Sequence, residues 1–183
     1  QSLASPNMKQ LLLICAVVAL VGCGKKEAMP KLITDPIVEK EIRESLEKPK
    51  GELTKADLEK VTRLEFWPNE LTDVKDLEKL TQLEWLILDS NQLTDVRGLE
   101  KLTQLTTLSL KGNQLTDCKG LEKLTKLEWL ALRDNKLNDI KGLEKLTQLK
   151  VLALDDNKLT DVKGLEKLTQ LERLYIWGNK LTD

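Results

Sequence analysis

From residue 61 onward, apolar positions recur in a fixed order every 22 residues, and that order has two parts. Counting Leu83 as position 1, Leu86 and Leu88 alternate with polar or variable neighbours, the period of a short strand. Val96, Leu99 and Leu102 then follow three apart, the spacing of one face of a tight 3₁₀-like turn, and Leu105 begins the next copy. Between the two parts stands an asparagine: Asn69, Asn91, Asn113, Asn135, Asn157 and Asn179 mark six copies. Each stands at the bend out of a strand, where its amide can pair backbone groups that a buried bend would leave unsatisfied. The pattern predicts an α/β repeat solenoid with parallel strands on one face and short helical turns on the other. Its core is buried copy by copy.

This spacing resembles the leucine-rich-repeat family, in particular its 22-residue bacterial class, the repeat of the internalins. The resemblance covers residues 61–183. It implies a right-handed solenoid whose strand-lined concave face binds other proteins, although the fold alone does not fix a function.

Ahead of the repeats the pattern changes three times. Met8 is a plausible start, and Lys9, the apolar run 11–21 and the small residues before Cys23 form a secretory signal pattern too short to span a bilayer comfortably. Leu20-Val21-Gly22-Cys23 resembles the lipobox of bacterial lipoproteins, which implies lipidation of Cys23 and anchoring to the bacterial cell envelope, at the outer membrane in a Gram-negative cell. An ordinary cleaved signal or a signal anchor are the alternatives. Residues 1–22 are then upstream sequence plus signal peptide, and 23–34 the lipidated cysteine and its tether. Residues 35–60 are predicted to be a helical N-terminal cap. There Asp35 before Pro36 starts a helix with Val38, Ile42 and Leu46 on its apolar face, and Thr54 with Asp57 opens a second by a variant capping box. This segment also resembles the helical one that precedes internalin-like repeats. At the other end the sixth copy stops at Asp183, its position 13. A truncated sequence accounts for this better than an end closed by a partner, and leucines of the fifth repeat are expected to face water or another molecule.

Composition narrows the function. Twenty-nine basic against 30 acidic residues give no basic field for nucleic acid. The absence of histidine removes the usual general base, the histidine-dependent triads and the commonest metal ligand, so a non-enzymatic protein without cofactor is expected. The aspartate column Asp73, Asp95, Asp117, Asp139 and Asp161 could suggest calcium, but one acid per copy reads as a cap of each turn. Cys118 fills a core slot occupied elsewhere by Val74, Val96, Ile140 and Val162 and reads as a small buried hydrophobe.

Comparing the copies with one another separates scaffold from surface. The turn half is nearly invariant: Gly98, Gly120, Gly142 and Gly164 each precede Leu-Glu-Lys-Leu-Thr, and only the first copy departs, with Asp76. The strand half varies at positions 3, 5 and 7, which point to the concave side. Position 3 reads Arg63, Trp85, Thr107, Trp129, Val151, Arg173; position 5 reads Glu65, Ile87, Ser109, Ala131, Ala153, Tyr175; position 7 reads Trp67, Asp89, Lys111, Arg133, Asp155, Trp177. All four tryptophans and the one tyrosine fall on this face, whereas Phe66 takes a core slot.

Part of the face explains itself. Asp89 with Lys111, and Arg133 with Asp155, are expected to pair across the ladder, and Arg63 to stack on Trp85. Exposed aromatics gathered with Ile87 and Val151 point instead to a partner-binding surface of Trp67, Trp85, Ile87, Lys111, Trp129, Arg133, Val151, Arg173, Tyr175 and Trp177. Trp85 and Trp129 are the expected central anchors, about 10 Å apart with Thr107 between them, and Lys111 and Arg133 would orient the partner. A protein or peptide is the expected partner. A glycan stacked on the tryptophans is one alternative, and an envelope structural protein with no specific ligand is another.

Overall fold

The computed structural model describes residues 31–66, 68 and 71–182. Cys23, Trp67 and Asn69 therefore lie outside the described residues, as does the stretch read as signal peptide. Residues 32–183 form one compact unit.

Six three-residue strands, β1 (Arg63–Glu65), β2 (Trp85–Ile87), β3 (Thr107–Ser109), β4 (Trp129–Ala131), β5 (Val151–Ala153) and β6 (Arg173–Tyr175), make one parallel sheet in sequence order. Trp85 pairs with Thr107 and Thr107 with Trp129, and every other pair keeps the same register, so each repeat position becomes a straight column across the sheet. The returning halves are 3₁₀ turns at Lys75–Lys79, Arg97–Lys101, Leu143–Lys145 and Leu165–Lys167; the copy containing Leu121 makes ordinary turns instead.

Between the two faces runs a continuous leucine core. Leu86, Leu108, Leu130 and Leu152 from the strands, and Leu99, Leu121 and Leu143 from the turns, are fully buried. Phe66 and Cys118 sit in the same core, and burial pushes the Cys118 thiol up, far from the range of a reactive thiolate. The asparagine column stitches this core together. Asn113 Oδ1 accepts the Leu93 N–H at 3.1 Å, while its Nδ2 donates to the carbonyls of Leu88 at 2.9 Å and Leu110 at 3.0 Å. Asn135 and Asn157 repeat the pattern one and two copies on. One amide thus satisfies the bend of its own copy and two backbone groups of the copy before.

The glycine column has a packing cause. A Cβ on Gly98 would stand 2.9 Å from the Val74 carbonyl, and one on Gly120, whose φ is 96°, would stand 2.8 Å from Arg97 Cα. At these two glycines the turn lies directly on the backbone of the copy before, whereas a Cβ on Gly142 or Gly164 would face the Cβ of Glu122 or Glu144, at 3.4 and 3.2 Å. Asp76, in the first copy, has no earlier repeat to strike, and its side chain is used. Oδ2 accepts the N–H groups of Thr34 and Asp35 and the Thr34 hydroxyl, and Oδ1 accepts from Lys79 Nζ. Burial alone would raise this carboxyl, but Lys79 and the N–H donors outweigh it and hold it well below the usual carboxylate range.

Helix α1 (Pro36–Ser45) follows this clamp, with Asp35 Oδ1 accepting the N–H groups of Ile37 and Val38, and buries Val38 and Ile42 in the cluster that contains Leu64 and Phe66. The short α2 (Lys55–Leu58) opens with a reciprocal box between Thr54 and Asp57.

Two expectations about this scaffold are corrected. The aspartate column does not cap the 3₁₀ turns from the N-cap position. Asp95 Oδ1 instead accepts the Arg97 N–H two residues on, an Asx turn that leads the chain into the returning half of its copy, and Asp73, Asp117, Asp139 and Asp161 do the same. Nor do the strand leucines of the fifth repeat face water. Leu152, Leu154 and Leu159 are fully buried because β6 covers them, and among the described residues the exposed leucines are Leu174 and Leu181 of the sixth copy, with Val162 and Leu165 partly covered.

Candidate concave binding site

Positions 3, 5 and 7 form three parallel columns on the side of the sheet away from the turns, and their burial differs. The position-5 column is a floor: Ile87, Ser109, Ala131 and Ala153 are all less than 8 % exposed. Ile87 was expected to be open to a partner and is not, because the longer side chains of positions 3 and 7 stand on either side of a narrow concave strip. Trp85 and Trp129 are half-buried in their column, and among the described aromatic residues Tyr175 and Trp177 are open, Trp177 at 71 %.

Along the position-7 column the charges are organised by the backbone as much as by each other. Asp89 does not pair with the Lys111 ammonium. Its Oδ1 accepts the Lys111 backbone N–H at 3.0 Å, and Lys111 Nζ lies 3.8 Å from Asp134 instead. The reason is position: an aspartate at the end of one strand lies directly beneath the first free N–H after the next. Asp155 repeats it with the Trp177 N–H at 3.2 Å. The expected pair of Arg133 and Asp155 is present, with Nε 2.7 Å from Oδ2. That oxygen lies off the line of the N–H, so the contact is an ion pair and not an aligned hydrogen bond. The Arg133 guanidinium also rests over the Tyr175 ring, 4.8 Å from its centre.

Arg63 stacks on Trp85 at 4.3 Å, as expected, and this covers the indole from the β1 side. The buried Trp85 Nε1 has no hydrogen-bond partner among the described residues. The open hollow lies farther along the sheet. It has a volume of about 400 Å³ and is lined by Trp129, Val151 and Arg173 on one side and Asp89, Lys111 and Arg133 on the other, with Ser109, Ala131 and Ala153 below and Tyr175 at the far end. The structure thus gathers six of the residues singled out in the sequence, Lys111, Trp129, Arg133, Val151, Arg173 and Tyr175. Trp85, Ile87 and Trp177 do not line it. Sequence reasoning missed the small floor, whose signal was the step from Ile87 to Ser109, Ala131 and Ala153 at position 5, and the two backbone-bound aspartates, Asp89 and Asp155.

A second hollow lies on the outer face of α1, among Pro36, Glu39, Lys40, Arg43, Glu44 and Glu47, where the charges are paired along the helix. Among the described residues no three acidic or cysteine side chains come together to hold a metal ion.

Strand, buried asparagine bend and short turn, stacked in register, define a solenoid built from 22-residue repeats. The pattern of the family described as Leucine Rich repeats (2 copies) matches residues 81–123, 125–167 and 147–183, and the chain belongs to the leucine-rich-repeat family. Among solved structures it is similar to an internalin of Listeria monocytogenes, at 25 % identity and a TM-score of 0.58, over 87 % of this chain and 62 % of that one. It is also similar to a leucine-rich-repeat protein of Leptospira interrogans, at 33 % identity and a TM-score of 0.64, over 69 % of this chain and 33 % of that one. The chain therefore spans less than two thirds of the length of either. No curated protein matches the sequence. These neighbours support a bacterial leucine-rich-repeat protein, and the fold suggests a protein-binding module.

Proposed function

We propose that this chain is an extracytoplasmic binding module that holds a protein or peptide in its concave hollow and does no chemistry on it. The observation that carries the reading is the hollow itself. An indole, a valine and a tyrosine stand around a floor of small side chains, leaving a space that the scaffold does not need for its own packing. Aromatic and arginine side chains around a concave, partly desolvated floor are the usual source of interface affinity. Trp129 is the principal anchor in this reading. Trp85 supports it from its stack with Arg63, and Trp177 extends the face toward its end.

Attachment to the envelope through a lipid on Cys23 is the second part of the proposal, supported by the signal-like run and the tetrapeptide that precede that cysteine. Among the described residues no helix is long and apolar enough to cross a membrane.

Two experiments test these parts. Immobilised wild-type chain and a Trp85→Ala, Trp129→Ala double variant are offered the same bacterial envelope extract. Protein held by the first and lost by the second supports the concave site, whereas equal retention by both contradicts it. Retention of cell-wall glycan in place of protein would move the same face to sugar recognition. For the anchor, mass spectrometry of the wild type should find acyl chains on Cys23, and Cys23→Ala should leave the protein soluble outside the cytoplasm or unprocessed; a wild type without lipid refutes it.

A further inference from the structure

The charges around the hollow are not equally available, and the difference indicates what kind of partner it fits. Of the acids nearby, Asp155 is 2 % exposed and paired under Arg133, Asp89 is bonded to the Lys111 backbone, and Asp134 stands beside the Lys111 ammonium. The cations are placed differently. Asp155 meets Arg133 at Nε, 2.7 Å away, the guanidinium rests over the Tyr175 ring, and its two Nη groups make no hydrogen bond among the described residues. The Arg173 side chain, exposed on the opposite wall, makes no ion pair or hydrogen bond among the described residues. Holding a guanidinium still while leaving its outer donors free prepares it to receive a carboxylate in the two-pronged manner arginine favours.

The spacing sets the shape of the ligand. The backbones of Arg133 and Arg173 are four positions apart along the repeat and two strands apart across the sheet, roughly 16 Å at ~3.3 Å per residue and ~4.8 Å per strand, and the Arg133 side chain reaches from its strand to the Tyr175 ring of β6. Between them lies the apolar strip of Trp129, Val151 and the alanine floor.

Building on the binding-module reading above, we infer that the concave hollow receives an acidic peptide segment in which an apolar side chain is flanked by carboxylates. The apolar group lies on the Ala131 and Ala153 floor against Trp129, and the carboxylates on either side meet Arg133 and Arg173.

Titration of the full 183-residue chain with three capped peptides tests this, by tryptophan fluorescence at low salt and again at 0.5 M salt. Each peptide carries a central phenylalanine, flanked by two residues on either side that are glutamate in the first, glutamine in the second and lysine in the third. The glutamate peptide should bind at least tenfold more tightly than the glutamine one, and the lysine peptide not measurably, with the advantage shrinking at high salt. Arg173→Glu, on an exposed side chain without an ion pair among the described residues, should remove the preference for the glutamate peptide over the glutamine one. Arg133→Gln should do the same if it folds. Equal binding of all three peptides, still sensitive to Trp129→Ala, would overturn the charge inference and leave the binding module standing. Binding of none, or a glutamate preference that survives Arg173→Glu, would overturn it too, and binding of none together with capture of cell-wall fragments would overturn both readings.

Discussion

On the outer side of the solenoid, Gly98 and Gly120 meet the backbone of the preceding copy so closely that a methyl group could not be added, and the residues around them hardly change from copy to copy. On the inner side, position 3 passes from Arg63 through Trp85, Thr107, Trp129 and Val151 to Arg173 with the strand register undisturbed. The turn half packs closely on its neighbour, through backbone at Gly98 and Gly120 and through a glutamate Cβ at Gly142 and Gly164, so its residues are dictated by stacking. The strand half touches its neighbour through hydrogen bonds that any side chain can accompany, so its outward positions are free to be set by a ligand. The first copy shows the rule at its boundary: where no earlier repeat lies beneath the glycine column, Asp76 appears and ties down Thr34 and Asp35.

If that division is right, changes of similar size should have unequal effects on the two sides. The largest is expected at Gly120→Val. It forces a branched side chain onto Arg97 Cα at a backbone angle unsuited to it and should cost about 3 kcal/mol or more, read as a lowered midpoint of urea unfolding. Asn113→Ala comes next. It strands the Leu93 N–H and the carbonyls of Leu88 and Leu110 inside the core and should cost roughly 1–3 kcal/mol.

Asp76→Asn should cost about 1–2 kcal/mol at neutral pH, by weakening charge-assisted bonds to Lys79, Thr34 and Asp35. Its effect also carries a pH signature. A carboxyl held below its unfolded value stabilises the fold above that value, near pH 4, and loses the contribution as pH falls toward its folded value. The midpoint difference between wild type and Asp76→Asn should therefore be full at pH 6 and shrink on acidification below about pH 4. A difference that stays constant to pH 2.5 contradicts the clamp. The smallest effect is expected at Lys123→Ala, which removes an exposed ion pair with Glu100 on the outer face; its unfolding curve should overlay that of the wild type.

The same division explains what could be read without coordinates. Leucine and asparagine columns are fixed by burial, and burial imposes a residue type, so the register, the buried Phe66 and the bend-closing amides were legible in the spacing alone. Stacking of Arg63 on Trp85 and pairing of Arg133 with Asp155 were legible as well, because columns in register make neighbours of residues 22 apart. Two things were not. Whether an outward residue is reachable depends on curvature and on the height of the columns beside it, which left Ile87 on the floor and moved the open space from between Trp85 and Trp129 to the stretch from Trp129 to Tyr175. Whether an aspartate meets a neighbouring ammonium or a neighbouring N–H depends on the pleat at the strand end, and at Asp89 the N–H took it.

The central claim is that the concave hollow binds and the scaffold does not depend on it. The most direct measurement pairs two readings on one variant, Trp129→Ala: affinity for the partner that the wild type captures, and the midpoint of urea unfolding beside that of Asn113→Ala. The account predicts a loss of affinity of tenfold or more with a cooperative unfolding transition retained, and a smaller midpoint shift than Asn113→Ala produces. A Trp129→Ala protein that keeps full affinity, or one that unfolds as Asn113→Ala does, would contradict it.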